Sequence, residues 1–218
     1  MFIENGYEVR KNVISKEIPD LAYHYYKLKV ENNEVGIDNY QVPGTIILYG
    51  DTLGDAILRW TLPLAQEVIG EELHPCYTFM RIYNKGDFLE PHCDRSSCEF
   101  SATLPIHFDK SWPIMMQKYD LEKYGDNFVK SIKEQSSKSL ILELGDICFY
   151  EGTKMNHWRL PFDGNECVQL LIHYVRKNGE YSEYKFDKRK NLGIGKMEES
   201  IKADSVKSAS ALYKDHLK

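Results

Sequence analysis

The run Cys76-Tyr77-Thr78-Phe79-Met80-Arg81-Ile82-Tyr83, closed by Asn84-Lys85-Gly86-Asp87 and followed by Phe88-Leu89-Glu90-Pro91-His92-Cys93-Asp94, decides the fold class. Its first part has period two. Tyr77, Phe79, Arg81 and Tyr83 point one way and Thr78, Met80 and Ile82 the other, as the alternating Cβ directions of a strand require. Asn-Lys-Gly-Asp supplies turn chemistry. A second extended segment, 88–94, then leaves the turn.

Short β-like runs recur downstream at 100–108, 139–144, 147–150 and 167–175. Upstream the period changes. Over 53–73 the sets Leu53, Ala56, Ile57, Trp60 and Leu64, Ala65, Val68, Ile69 have helical spacing, and Pro63 is expected to start, break or kink one of the pieces. The first fifty residues, with a turn signal at Val42-Pro43-Gly44, read as a strand-bearing, loop-rich lead-in. A long insertion at 109–138 carries Trp112-Pro113-Ile114-Met115-Met116; such a segment between strands is more often functional than idle. From 187 onward, Lys188-Arg189-Lys190 and Ala-, Ser- and Lys-rich sequence read as a solvated tail.

The expectation is one domain over 1–186, with its core at 77–175 behind a helical and loop-rich lead-in at 1–75, then a tail at 187–218. Its class is mainly β with flanking helices, in a sandwich, jelly roll or barrel.

The formal charge of −5 is mixed in sign, so no strong field selects nucleic acid or an anionic membrane. No stretch reaches the roughly 18 apolar residues of a membrane span, and a cytoplasmic location is expected. The five cysteines are scattered, with no Cys-x-x-Cys pair, which argues for reduced thiols rather than a disulfide framework or a structural zinc site. The sequence has no Gly-x-Ser-x-Gly elbow, Walker loop or dinucleotide fingerprint, and Gly193-Ile194-Gly195-Lys196 is too short for a phosphate cradle. Hydrolase, kinase and dehydrogenase chemistry therefore have no support.

What remains is a metal-ligand pattern. If 88–94 is extended, alternation puts the His92 imidazole and the Asp94 carboxylate on one face. Beyond the turns at Gly145-Asp146 and Glu151-Gly152, His157 starts another extended run that can lie opposite. Two neutral imidazoles and one carboxylate form a facial triad and leave three positions of an octahedral Fe(II) open. A bare His-x-Asp is a weak signal on its own.

Over about 77–175, through Arg81-Ile82-Tyr83-Asn84-Lys85-Gly86, His92-Cys93-Asp94 and Gly145-Asp146-Ile147-Cys148-Phe149, the chain resembles the prolyl 4-hydroxylase-like branch of the Fe(II)/2-oxoglutarate oxygenases. The resemblance implies a double-stranded β-helix (jelly roll). His92, Asp94 and His157 would be the iron ligands and Tyr83 would line the co-substrate pocket. Fe(II), 2-oxoglutarate and O2 would be required, with ascorbate as an optional accessory.

The family's basic anchor for 2-oxoglutarate, about ten residues past the distal histidine, is replaced by Cys167. Arg159, two residues beyond His157 and so on the same face, is the first candidate to supply the missing cation, and Arg81 is the second. His107 stands where the family has a tyrosine, and it would either donate a hydrogen bond to the co-substrate or be a satisfied core histidine. On the last strand Cys167, Gln169, Leu171 and His173 alternate with Val168, Leu170 and Ile172, which points Gln169 and His173 toward the site or a buried polar network.

An aspartate at position 94, where related halogenases have a small residue, favours hydroxylation of an unactivated C–H bond. The substrate implied is a protein or peptide side chain, prolyl included, or a small amino-acid-like molecule, with Arg95 and Trp112 as expected contacts. Alkylated nucleic acid is disfavoured, because the paired arginines of that branch are not apparent after His157. The competing reading is a non-catalytic, cupin-like β-sandwich that binds a metal or a carbohydrate.

Overall fold

The fold was obtained as a computed structural model, which describes residues 1–125 and 127–194. In chain order the strands are β1 (Tyr7–Arg10), β2 (Gly36–Ile37), β3 (Ile46–Tyr49), β4 (Leu73–Asn84), β5 (Leu89–His92), β6 (Phe100–Phe108), β7 (Ile114–Lys118), β8 (Lys138–Leu140), β9 (Ile147–Tyr150), β10 (Met155–Arg159) and β11 (Glu166–Arg176). The α-helices are α1 (Phe2–Asn5), α2 (Glu17–Glu31), α3 (Thr52–Ile69), α4 (Leu121–Tyr124) and α5 (Phe128–Glu134).

The strands form two antiparallel sheets. The larger has the order β1-β9-β6-β11-β4-β3-β2, and the smaller β5-β10-β7-β8. One face of the larger sheet carries Met80, Ile82, Leu104, Val168, Leu170 and Ile172, and these form one apolar cluster with α2 and α3. Its other face turns toward the smaller sheet. Cys148 and Tyr150 of β9 meet Ile114, Met116 and Met155 of β7 and β10 there. This is the jelly-roll arrangement, with α2 and α3 on the outer face of the larger sheet and the short α5 against the smaller one, where Ser131 bonds Gln117 of β7, and the side chains of β4 and β11 divide between the two faces as their alternation predicts. No helix among the described residues is long and apolar enough to cross a membrane.

Four expectations are corrected or sharpened. The first fifty residues carry strands, as expected, and also a 15-residue helix, α2, because Ala22 and Tyr26, four apart, bury one stripe against the sheet. Pro63 neither starts nor ends a helix. It lies inside the 18-residue α3, where burial of Ile57, Leu58, Thr61, Ala65, Val68 and Ile69 outweighs the roughly 3 kcal/mol that an interior proline costs. The insertion at 109–138 is partly core: β7 pairs with β10 on one side and β8 on the other, and the run expected at 139–144 is reduced to β8.

The fourth correction concerns the tail. Asp187 and Arg189 are not on a solvated face; Arg189 bonds Asp55 at 2.9 Å and Asp187 bonds Arg95 at 2.7 Å, all with buried or nearly buried side chains. A basic run reads as solvated only until the carboxylates that face it are known. Residues 195–218 lie outside the described residues.

Candidate metal centre

β4 ends in a tight turn at which Asn84 N–H donates to the Asp87 carboxylate at 2.6 Å and Gly86 adopts φ 90°, a left-handed conformation open to glycine without strain. The chain then enters β5 and delivers His92 opposite His157 as direct cross-strand partners of β5 and β10. Asp94 lies just past β5, where its N–H donates to the Gly152 carbonyl at 2.8 Å. A Cβ on Gly152 would stand 2.7 Å from Asp94 Oδ2, so glycine there lets the 151–154 turn close against the carboxylate.

The three groups converge. Nε2 of His92 and Nε2 of His157 lie 3.5 and 3.6 Å from Asp94 Oδ1, and all three ligand atoms fall within 4.8 Å of one another. Metal bonds of about 2.0–2.2 Å at right angles place ligand atoms about 3 Å apart, so a small contraction lets one ion bridge them. The Nδ1–H groups of His92 and His157 are hydrogen-bonded to the carbonyls of Glu90 (2.7 Å) and Met155 (3.0 Å). Those bonds hold each ring in the tautomer whose Nε2 lone pair faces the centre.

Asp94 is supported from behind. Ser101 Oγ donates to Asp94 Oδ2 at 2.7 Å and, with its one hydrogen so used, accepts from His173 Nδ1 at 3.0 Å. Burial opposes ionisation of Asp94, but the His157 and His92 rings beside it hold its carboxyl well below the usual range. Burial also pushes His157 down to about 4, with His92 adding to the effect, so the ring stays neutral and fit to ligate at neutral pH.

Asp94, Cys98 and His173 form a second cluster of ligand-type atoms. Burial pushes the Cys98 thiol up to about 12, and its sulfur lies 3.0 Å from the Tyr77 hydroxyl. A protonated thiol is a poor ligand, so the two-histidine set is the better metal centre.

The remaining expected residues separate into two groups. Arg159 is buried in the barrel; it donates to the Trp112 carbonyl at 2.5 Å and its guanidinium lies 4.9 Å from the centre of the Trp112 ring. Among the described residues no carboxylate pairs with it. Trp112 donates its indole N–H to the Leu160 carbonyl at 2.7 Å and packs edge-on against Tyr83, which is itself buried beside Val42, Leu89, Phe162 and Cys167. Gln169 faces the barrel, accepting from Thr103 at 2.9 Å and donating to the Cys167 sulfur at 3.2 Å.

Arg81 also faces the barrel, but its charge is matched by Asp38 at 2.6 Å with both groups buried. Arg95 is taken up by Asp187 and the Tyr77 ring. Of the two expectations for His107, the co-substrate contact is overturned. A bulge opposite Val168 and Gln169 adds one residue to β6, which turns His107 to the helix side, where it stacks on Tyr23 of α2 at 4.0 Å.

The sequence reading missed Ser101, Asp38 and Gln41. Ser101 and Thr103 alternate with Phe100, Ala102 and Leu104, so the polar face of β6 was visible in the pattern. Asp38 and Gln41 sit in a loop with no periodicity to mark them.

No family model and no curated protein matches the sequence. The solved structures do give matches. A prolyl-4-hydroxylase from Pseudomonas putida is similar at a TM-score of 0.60 and 14% identity, over 80% of this chain and 95% of that one. HygX from Streptomyces hygroscopicus, solved with nickel and 2-oxoglutarate bound, is similar at 0.59 and 11%, over 81% and 85%. The epimerase SnoN, in complex with Fe3+, alpha ketoglutarate and nogalamycin RO, is similar at 0.64 and 12%, over 80% of each. The chain has the jelly-roll fold of the 2-oxoglutarate oxygenases, and at these identities the fold is what is shared.

Proposed function

We propose that this chain is an Fe(II)- and 2-oxoglutarate-dependent oxygenase that hydroxylates an unactivated C–H bond. The observation that carries the reading is the convergence of His92 Nε2, His157 Nε2 and Asp94 Oδ1 on one point. Two imidazoles and a carboxylate are the donor set of non-haem iron oxygenases. With Fe(II), 2-oxoglutarate and dioxygen bound, such a centre supplies an oxidant strong enough to take hydrogen from an aliphatic carbon.

The protein's own residues bind, orient and exclude water. Arg159 is the cation for the far carboxylate of 2-oxoglutarate, because a buried guanidinium without a carboxylate partner among the described residues calls for an anionic ligand. Arg81, already neutralised by Asp38, does not fill that role. Tyr83, Trp112, Leu89 and Phe162 form an apolar wall near Arg159 that keeps water from the reacting centre. Gln169 and Thr103 supply neutral polar groups on the larger sheet.

The substrate in this reading is a side chain of a protein or peptide, or a small amino-acid-like molecule. Prolyl peptides are the first to try, since the neighbours include a prolyl-4-hydroxylase. Anaerobic addition of Fe(II) and then 2-oxoglutarate tests the class without any substrate. An oxygenase develops a weak visible charge-transfer band that needs both additions, and a metal- or carbohydrate-binding module does not.

A further inference from the structure

Gln41, in the loop between β2 and β3, reaches the metal centre from outside both strands that carry the histidines. Its Nε2 lies 2.9 Å from His92 Nε2, and its Oε1 accepts from Arg81 at 2.8 Å. Those two contacts fix the direction of each bond. The carboxamide oxygen is committed to the guanidinium, and His92 Nδ1–H is committed to the Glu90 carbonyl. Gln41 therefore donates N–H into the lone pair of His92 Nε2, the atom that faces Asp94 and His157.

The loop is built to hold that amide in place. Asp38 accepts from the backbone N–H groups of Tyr40 (2.8 Å) and Val42 (3.0 Å), and its second role is the 2.6 Å ion pair with Arg81. Thr45 Oγ closes the turn onto the Val42 carbonyl at 2.7 Å. One carboxylate thus fixes both the loop that carries Gln41 and the guanidinium that orients its side chain. Tyr40 beside it is almost fully exposed, so this part of the loop borders solvent.

We infer that Gln41 is a displaceable cap on His92, held by the Asp38–Arg81 clamp, and that it competes directly with the metal ion for the Nε2 lone pair. The inference rests on the metal-centre reading above. One lone pair cannot accept an N–H and bind a cation at once, so metal entry must break the Gln41 bond. The cap lowers metal affinity by the worth of one buried hydrogen bond. Removing it should tighten binding about three- to tenfold, the equivalent of a typical net hydrogen bond.

The test is titration of the full chain with Co(II) alone, followed by its visible absorption, for the wild type, Gln41→Met, Gln41→Ala and His157→Ala. Gln41→Met keeps the side-chain length without the donor, so it separates the hydrogen bond from the packing. Tighter Co(II) binding by both Gln41 variants, with His157→Ala much weaker, supports the cap. Damage to the loop would loosen the site, so the direction of change is diagnostic. Unchanged or weaker binding by the Gln41 variants, with His157→Ala still impaired, overturns the cap and leaves the metal centre standing. Equal binding by wild type and His157→Ala overturns the centre, and the cap with it.

Discussion

His92 and His157 face each other across β5 and β10 with ring centroids 4.2 Å apart, each tied through Nδ1 to the carbonyl two residues before it. The sheet itself thus sets the spacing of two ligands, and neither ring depends on a mobile loop for its orientation.

His157→Ala is expected to weaken Co(II) or Fe(II) binding at least a hundredfold while the protein still folds. The scaffold is held by the apolar cluster of the larger sheet with α2 and α3, which His157 does not enter. Circular dichroism and metal titration of the variant check both halves. Global unfolding would instead identify a structural metal or a core histidine.

Arg159→Met should weaken 2-oxoglutarate binding about thirtyfold or more while leaving Fe(II) affinity within about threefold. Losing charge-assisted hydrogen bonds costs roughly 2–3 kcal/mol. Arg159→Lys should recover only part of it, because the planar fork is lost. The amplitude of the visible band against 2-oxoglutarate concentration reads the effect, and an unchanged midpoint for Arg159→Met would remove the residue from the co-substrate site.

How much of this was legible in the sequence depends on whether a residue's role is local. The faces of β4 and β11 followed from strict alternation, since Met80, Ile82, Leu170 and Ile172 all lie on the helix side. The His92, Asp94 and His157 pattern was visible because two of its members are separated by one residue on an extended segment. His107 was left open because one inserted residue in β6 reverses every later side chain, and a bulge leaves no mark in a hydrophobic pattern. Pro63 left one or two helices open, because local propensity alone does not weigh the buried face that carries α3 through it. Asp38, Gln41 and Asp187 act through partners some 40 to 140 positions away, and only tertiary structure brings those together.

Ser101→Ala removes the donor that holds Asp94 Oδ2 and leaves His173 Nδ1 without its acceptor. Metal affinity is expected to fall about tenfold, as for other supporting partners of a ligand. Titration of the variant beside His157→Ala would rank the two, and an effect as small as twofold would show that Asp94 is held by the Gly152 contact alone.

Burial pushes both His157 and His173 down to about 4 from an ordinary value of about 6.5. The unfolded chain binds protons at these sites below about pH 6.5, and the folded, metal-free protein does so only near pH 4. Stability is therefore fully present above about pH 6.5 and is lost as pH falls through that window, by roughly 3 kcal/mol per histidine. Melting of the metal-free protein from pH 7 to 4.5 should show the fall, with a shallower slope in His173→Gln. A flat profile in the wild type would contradict neutral burial of the two rings.

X-ray absorption at the iron edge of the anaerobic Fe(II)-loaded protein examines the centre itself. Two imidazole nitrogens and oxygen ligands, with no sulfur at about 2.3 Å, are expected if His92, Asp94 and His157 hold the ion. A sulfur shell would move the metal to Asp94, Cys98 and His173, and a single imidazole or none would contradict the two-histidine centre.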